Sequence, residues 1–230
     1  MLNIFAGFDQ VEAVAYHTLC HSILSRSSKP VSITPVKISM LEGIYNRKRD
    51  QKQSNEFSFT RFLVPYLMGY KGHALFMDCD MLVRTDINEL FELRDNTKSV
   101  QVVKHDYTPK DRTKFLGTTQ YQYPRKNWSS VMLFNCSHYH CRKLTPEYVN
   151  TATGMDLHRF KWTEDRYIGE LSKDWNHLVS EYDPNPDAKI VHYTVGGPYF
   201  DEYMHCEYSD EWFEERSLMR HCEQRKEDAA

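Results

Sequence analysis

The sequence contains 230 residues with a formal net charge of −3 at pH 7, and 40% of its residues are hydrophobic and 27% charged. This composition is typical of a globular protein with one large domain. The acidic balance argues against a nucleic-acid partner, because no surplus of lysine and arginine is present to neutralise phosphates. No apolar run approaches the roughly 18 to 20 residues that a membrane helix needs, so we expect no integral membrane segment.

The N-terminus and the cysteines give an expectation about the compartment. The first residues, MLNIFAGFD, lack the basic segment and long apolar core of a secretory signal. Six cysteines are scattered through the chain without a CxxC pair, which is typical of reduced thiols in a cytosolic protein. The segment NCSHYHC at residues 135–141 matches no common zinc spacing, so we interpret it as a strand end followed by a polar loop. We therefore predict a cytoplasmic protein.

The sequence predicts strands and helices that alternate along most of the chain. In chain order, the pattern predicts a strand at residues 2–8, a helix at 11–27, a strand at 31–38, a helix at 59–70, a strand at 73–80, a helix at 86–93, strands at 99–105 and 129–136, a helix at 164–172 and a strand at 188–194. Pro35 favours an edge position for the second strand. Ser58 or Thr60 is the candidate N-cap of the second helix, and Pro65 predicts a kink in it.

This alternation predicts an α/β fold with a sheet covered by helices on both faces. We expect a single domain at residues 1–200, followed by a charged, helical tail at residues 201–230 that packs on the domain. In such sheets, ligands bind beyond the carboxyl ends of the strands. The loops after Gly7, at Asp78–Asp80 and after His192 are therefore expected to lie together.

Two aspartates end the apolar run ALFMDCD. In a strand, residues i and i+2 point to the same side, so Asp78 and Asp80 would face one point with their Cα atoms roughly 7 Å apart. Two such carboxylates resist joint ionisation unless a cation compensates them. Hard oxygen ligands suit Mg²⁺ or Mn²⁺, which commonly share their coordination with substrate phosphates. The pair therefore predicts a metal bound to a diphosphate.

Three other interpretations of this motif stay open. Asp78 and Asp80 could be a turn cap and a surface charge, since DxD triplets occur by chance. An aspartyl-nucleophile phosphatase also places a DxD after an apolar strand, although on the first strand and with threonine or valine soon after. Here two strands precede the motif, and Met81 and Leu82 follow it. A protein that binds a nucleotide-sugar or a glycan without catalysis is the third interpretation.

Several segments together resemble glycosyltransferase family 8, which includes glycogenin-like enzymes and bacterial lipopolysaccharide sugar transferases. They are, in order, IFAGFDQVEAVAYHTLCHSIL, FSFTRFLVPYL, ALFMDCDMLVRTDINELF, WSSVMLFNC and KIVHYTVGGPYF. The resemblance covers residues 2–200. It implies the GT-A fold, a Rossmann-like mixed, mostly parallel sheet flanked by helices. It also implies a hexosyltransferase that uses a UDP-sugar donor and Mn²⁺ or Mg²⁺, acts on an acceptor hydroxyl and retains the anomeric configuration.

The resemblance also implies site residues. It implies that Asp78, Asp80 and His192 ligate the metal and that Glu164, Asp165 and Arg61 act near the reacting sugar. The donor-binding residues that it implies are Ala6, Gly7, Phe8, Asp9, Arg61, Asp78, Cys79, Asp80, Ser129, Ser130, Gly196 and Gly197. The acceptor would be a glycan, a lipid-linked sugar or a protein.

Simpler interpretations compete with several of these assignments. Asp9 could be an N-cap in an ordinary strand-to-helix turn, and His192 a hydrogen-bonded core histidine. Glu164 and Asp165 could be acids at a helix start that interact with the helix dipole. The sequence also departs from the family. The lysine that often follows the histidine and reaches the β-phosphate is missing from HYTVGGPYF, so phosphate charge would depend on the metal, Arg61 and backbone amides.

Overall fold

The structure is a computed structural model that describes residues 1–49, 53, 55–110, 113–117 and 122–219. Its strands are β1 Leu2–Gly7, β2 Val31–Val36, β3 His73–Met77, β4 Met81–Val83, β5 Val100–Val103, β6 Val131–Asn135, β7 Ile168–Leu171, β8 His177–Leu178 and β9 Ile190–His192. Its α-helices are α1 Ala13–Arg26, α2 Val64–Leu67, α3 Asn88–Glu92, α4 Pro146–Thr151, α5 Gly154–His158 and α6 Ser209–Leu218.

Six strands form the central sheet, in the order β2-β1-β3-β6-β5-β7. The β2–β1, β1–β3 and β5–β7 pairs are parallel, and β6 runs antiparallel to both β3 and β5. The predicted α/β class, with a mixed and mostly parallel sheet, is therefore confirmed. The edge position of β2 is confirmed as well, and it follows from Pro35, which has no N–H to donate to a further strand.

The buried centre of the sheet explains its sequence. In β3, Ala74, Leu75, Phe76 and Met77 are all fully buried, because elements cover both faces of this strand. Such a strand shows a continuous apolar run instead of alternation. On the first helix, Leu19 and Ile23 are fully buried and belong to the same core.

A second, three-stranded sheet has the order β4-β9-β8. β4 pairs antiparallel with β9, and Met81 lies opposite His192 in that register. The chain thus leaves the central sheet at Met77 and enters the small sheet at Met81. The three residues between them, which include both aspartates, connect the two sheets.

The predicted helix at residues 164–172 is wrong. A 3₁₀ turn at Asp165–Tyr167 leads into β7, which pairs with β5 so that Gly169 lies opposite Gln101. A Cβ on Gly169 would lie 2.6 Å from Gln101 Cγ, so a residue without a side chain permits this close pairing. The spacing of Ile168 and Leu171 fits a helical turn, but pairing with the sheet decided the conformation.

Two further boundaries differ from the expectation. The predicted strand at 73–80 ends at Met77, and the aspartates follow it. The predicted helix at 59–70 is a 3₁₀ turn, Thr60–Leu63, continued by the short α2. Neither Ser58 nor Thr60 caps it, and Pro65 lies in its first turn, where proline is tolerated and no kink is needed.

Helix α6 packs near the first helix. Trp212 is 1% exposed and belongs to a cluster with Leu82 and Val191 of the small sheet. The rest of the predicted tail, from residue 220 onward, lies outside the described residues. Within the described ranges, no helix has both the length and the apolar character needed to cross a membrane. The five described cysteines are all free.

Candidate active site

Asp78, Asp80 and His192 converge at the carboxyl edge of β3. One ligand atom from each side chain lies within 4.8 Å of the other two. The carboxylate side chains are 11% and 12% exposed, and the imidazole is 2% exposed. Within the described ranges, this is the one group of three or more histidine, cysteine or acidic side chains that could hold a metal ion.

Backbone pairing brings these residues together. The Asp78 N–H donates to Ser130 O over 3.0 Å, which extends the β3–β6 pairing by one residue. The Tyr193 N–H donates to Asp80 O over 2.9 Å, which extends the β4–β9 pairing. The two aspartates therefore converge because each end of their connection is held by a different sheet, and the strand geometry expected from the sequence is not the reason.

A hydrogen bond fixes the orientation of the histidine. His192 Nδ1 lies 2.9 Å from Asn176 Oδ1, and since an amide oxygen only accepts, the imidazole proton is on Nδ1. Nε2 then carries the lone pair, and it lies 3.3 Å from Asp80 Oδ1. The amide of Asn176 donates in turn to Ser130 Oγ over 2.7 Å. This network presents Nε2 to the carboxylates in the form that binds a metal.

Burial and charge act in opposite directions on the carboxylates. Burial raises the pKa of Asp78 to about 6, and Asp80 adds to the rise, although Arg61 lowers it. Burial also acts to raise the pKa of Asp80, but the nearby His192 imidazole and the charge of Lys114 outweigh burial, so this pKa is lowered. A third acid is close: burial, with repulsion from Asp80 and its neighbours, raises the pKa of Glu12 to about 8.

The group fits a divalent cation. Asp78 Oδ1 and Asp80 Oδ1 are buried, and neither makes a hydrogen bond to any described residue, although each lies near a cationic or imidazole nitrogen. Buried oxygens without such bonds are costly. Two carboxylates and a neutral imidazole are ligands that Mn²⁺ and related ions accept. Asp78, Asp80 and His192 are thus the residues that would hold the metal.

Arg61 is buried, and its guanidinium contacts groups of the protein itself. Its Nη1 lies 2.8 Å from Asp78 Oδ1 and donates to Ser129 O over 2.8 Å, while its Nε donates to Phe57 O. The anionic partner of this buried arginine is thus Asp78 of the candidate metal group itself. Arg61 therefore compensates charge and fixes the position of Asp78.

The comparisons with known proteins agree with this fold. The family model described as "Glycosyl transferase family 8" matches residues 8–197. The chain belongs to glycosyl transferase family 8. A relative in Arabidopsis thaliana, Protein CDI, is 50% identical over 220 residues, which are 93% of this chain and 85% of the relative.

Two solved structures of glycosyltransferases share the fold of this family 8 chain. The bifunctional glycosyltransferase WbbM is 14% identical with a TM-score of 0.66, and the match covers 94% of this chain and 49% of that one, so this chain spans about half of WbbM. The galactosyltransferase LgtC, solved with donor and acceptor sugar analogues, is 12% identical with a TM-score of 0.62 over 97% and 98% of the two chains. The predicted GT-A fold is confirmed.

The loop after β1 of this family 8 protein is shaped by its own packing. Ala6 is fully buried. A Cβ on Gly7 would lie 2.5 Å from the Phe57 ring, so the glycine makes room for that ring. Phe8 packs edge-to-face on Tyr16. Asp9 caps the next turn by accepting from Val11 N–H, as the simpler interpretation expects.

The serines and glycines expected at the donor site are buried. Ser129 O accepts from Arg61, and Ser130 Oγ accepts from Asn176 and donates to Asn127 O. Gly196 and Gly197 are also buried, and Cβ atoms there would lie 2.4 Å and 2.2 Å from the rings of Tyr203 and Tyr199. Cys79 is fully buried between the two aspartates, with its Sγ 4.0 Å from Glu12 Oε2.

Glu164 and Asp165 are not brought to the metal group. They precede β7, which is parallel to β5, so they lie beyond the amino end of these strands, whereas the metal group lies at the opposite edge. Glu164 contacts His140 and Arg166, and Asp165 pairs with Arg125 over 2.7 Å. Their side chains are 55% and 80% exposed. The structure therefore does not support a role for them at the reacting carbon.

Three residues at this edge were missed by sequence reasoning. Glu12 had a signal, because it directly precedes α1 at helical spacing from the buried Tyr16 and Leu19, where a carboxylate is unusual. Asn176 and Lys114 had none. Both reach the site from segments distant in sequence, and only the folded chain shows them near His192 and Asp80.

Proposed function

We propose that this family 8 protein is a metal-dependent glycosyltransferase that transfers a hexose from a UDP-sugar to an acceptor hydroxyl with retention of the anomeric configuration. The acceptor hydroxyl would belong to a glycan, a lipid-linked sugar or a protein. The observation that carries the proposal is the convergence of Asp78, Asp80 and His192 within 4.8 Å at the carboxyl edge of the sheet. That edge is where α/β sheets bind their ligands.

Mn²⁺ or Mg²⁺ held by these three side chains would neutralise the departing diphosphate as a Lewis acid. The protein's own residues prepare the site for it. Asn176 holds the His192 proton on Nδ1, so that Nε2 is available as a ligand. Arg61 lies 2.8 Å from Asp78 and offsets its charge. Without a partner of opposite charge, a carboxylate at this buried position would be strongly destabilising.

The remaining donor contacts are proposed from position. The segment Ala6–Asp9 forms the carboxyl end of β1 and the turn after it, and β1 is adjacent to β3 and ends at the same edge as the metal group. Ser129 and Ser130 precede β6, whose antiparallel pairing with β3 places them at that edge as well. We assign the uridine to the first loop and the sugar to the second segment. Gly196 and Gly197 follow His192 and would face the diphosphate. For Arg61 we propose a positioning role through Asp78.

The test is release of UDP from a panel of UDP-hexoses, measured with Mn²⁺ and with a chelator. We expect turnover with Mn²⁺, loss of turnover with the chelator, and a reduction of at least about 100-fold in Asp80→Asn, because the leaving charge is then poorly compensated. Asp187→Asn removes an exposed carboxylate outside the site and should behave like the wild type.

Activity that survives both the chelator and Asp80→Asn would contradict the proposal. Binding of UDP without turnover on a broad acceptor panel would instead indicate a non-catalytic nucleotide-sugar binder. Release of inorganic phosphate from phosphomonoesters, with a phosphorylated intermediate trapped on Asp78, would indicate the phosphatase alternative.

A further inference from the structure

Lys114 reaches the metal site from the segment between β5 and β6. In the sequence, Lys114 is distant from HYTVGGPYF, which contains no lysine. In the fold, its Nζ lies 3.3 Å from the Oγ1 of Thr194 within that motif. Thr194 is 3% exposed and lies two residues after His192. The fold therefore places an ammonium beside the motif from which the lysine is missing.

A hydrogen-bond network joins this position to the metal ligand. Thr194 Oγ1 also accepts from the amide of Asn127 over 3.0 Å. Asn127 O accepts from Ser130 Oγ, which accepts from Asn176, the residue that orients His192. Lys114 and the imidazole are thus held by one connected set of side chains.

Several acidic side chains attract Lys114, but none of the described ones forms an ion pair with it. Burial lowers its pKa, while Asp80, Asp78, Glu181 and Glu12 act to raise it, in that order of strength. Among the described residues, however, no carboxylate oxygen is found within ion-pair distance of its Nζ. Within the described part of the chain, this ammonium therefore makes one hydrogen bond, to Thr194 Oγ1, out of the three that it can donate.

A second lysine lies close by. Lys126 is 5% exposed, and burial, together with repulsion from Lys114, lowers its pKa to about 8. Glu181 offsets part of this repulsion, and an anion bound near Lys114 would reduce it further. Arg61 is a poor candidate for that contact, because its guanidinium already contacts Asp78 and two backbone carbonyls.

We propose that Lys114 contacts the diphosphate of the donor nucleotide, and that the β5–β6 segment thereby supplies the cation that the segment after His192 lacks. This inference rests on the proposed function, because it assumes a nucleoside diphosphate at the site. The Lys114 ammonium would bind one part of the diphosphate. A metal ion held by Asp78, Asp80 and His192 would neutralise the other part. Hydrogen bonds from the Lys114 ammonium to phosphate oxygens would be charge-assisted, and such bonds are among the stronger hydrogen bonds in proteins.

A purely structural role for Lys114 makes a different prediction. If its charge only offset the acids, removing it would disturb the carboxylates and weaken metal and nucleotide binding together. If it contacts the diphosphate, removing it weakens nucleotide binding alone. Binding of the metal by itself would be unchanged or tighter, since a cation that repels the ion is gone.

The experiment is calorimetric titration of the full chain with Mn²⁺ alone and then with UDP at saturating Mn²⁺. For Lys114→Met we expect the affinity for UDP to fall about 10- to 100-fold, as for loss of a hydrogen bond to a charged group, with no loss of Mn²⁺ affinity. Lys114→Arg should keep UDP affinity within a few-fold of the wild type. Lys110→Met removes an exposed lysine of the same segment and should change neither affinity.

The outcomes separate the two proposals. Wild-type affinity for UDP in Lys114→Met, or equal losses for Mn²⁺ and UDP, would overturn the role of Lys114 and leave the proposed function intact. A wild-type protein that binds Mn²⁺ but no UDP would overturn the proposed function, and this inference with it. Circular dichroism of each variant confirms folding, and if Lys114→Met does not fold, Lys114→Gln takes its place with the same expectations.

Discussion

At the scale of single residues, the site depends on which nitrogen of His192 faces the carboxylates. Asn176 is fully buried, and its oxygen can only accept the Nδ1 proton. Its amide group is held by Ser130 Oγ, so the orientation of Asn176 is itself fixed. A candidate metal ligand is therefore oriented by a neighbour that would not itself contact the ion, which is the usual arrangement around histidine ligands.

This arrangement predicts a specific effect of Asn176→Ala. Without the acceptor, the imidazole can rotate or carry its proton on Nε2, so the affinity for Mn²⁺ should fall by about 10- to 100-fold. Titration of Mn²⁺ measured by calorimetry checks this. Ser130→Ala keeps the Asn176–His192 bond and should cost much less. Unchanged Mn²⁺ affinity in Asn176→Ala would show that this hydrogen bond does not orient the ligand.

At the scale of elements, α6 is joined to α1 through one buried carboxylate. Glu215 is 1% exposed, contacts His21, and lies 2.6 Å from Arg26 Nη1. One turn earlier on α6, Trp212 is buried against the small sheet that carries His192. Helix α6 thus supports the strand that carries the candidate ligand His192, although α6 lies outside the site.

The pairing on α6 predicts that Glu215→Gln destabilises the fold. Arg26 would lose its anionic partner, and because its side chain is 34% exposed, water offsets part of the loss, so we expect roughly 1–3 kcal/mol. Urea unfolding measures the change. Glu214→Gln is the matched control, since this neighbouring glutamate is exposed, and it should change stability by less than about 0.5 kcal/mol. Equal stabilities of the two variants would contradict this role of Glu215.

At the scale of the whole molecule, the site lies where the central sheet and the small sheet meet. Asp78 continues the pairing of one sheet, and Asp80 and His192 belong to the pairing of the other. A ligand that bridges these residues binds only when both sheets are in place. Ligand binding should therefore stabilise the folded chain as a unit.

This coupling predicts a thermal shift. At about 100 times the dissociation constant, a ligand specific to the folded state contributes about 2.7 kcal/mol, which for a chain of this size corresponds to a rise in Tm of about 5–10 °C. We expect that rise with Mn²⁺ and UDP together, its reversal by a chelator, and no rise in Asp80→Ala. Differential scanning calorimetry measures the change in Tm. A Tm that stays the same when both ligands are added would argue against a site shared by the two sheets.

Part of the candidate site could be predicted from the sequence because its signals are local. An apolar run that ends in Asp78 and Asp80 indicates a buried strand end with compensated charge, and the resemblance to family 8 indicates His192 as the third candidate ligand. Asn176 and Lys114 gave no such signal, because an asparagine or a lysine in a polar segment resembles any solvated residue. Their proximity to His192 and Asp80 arises only when distant segments fold to the same edge.

The sequence by itself determined the α/β class, the edge position of β2 and the candidate metal group of Asp78, Asp80 and His192. Composition, apolar runs and motif order are properties of neighbouring residues, and they persist whatever the chain does elsewhere. The tertiary structure alone decided that residues 168–171 form β7, that Glu164 and Asp165 lie away from the metal group, and that Lys114 lies beside Thr194. Strand pairing and long-range packing outweigh local preference in these cases, because hydrogen bonds to a neighbouring strand and burial are settled only between distant parts of the chain.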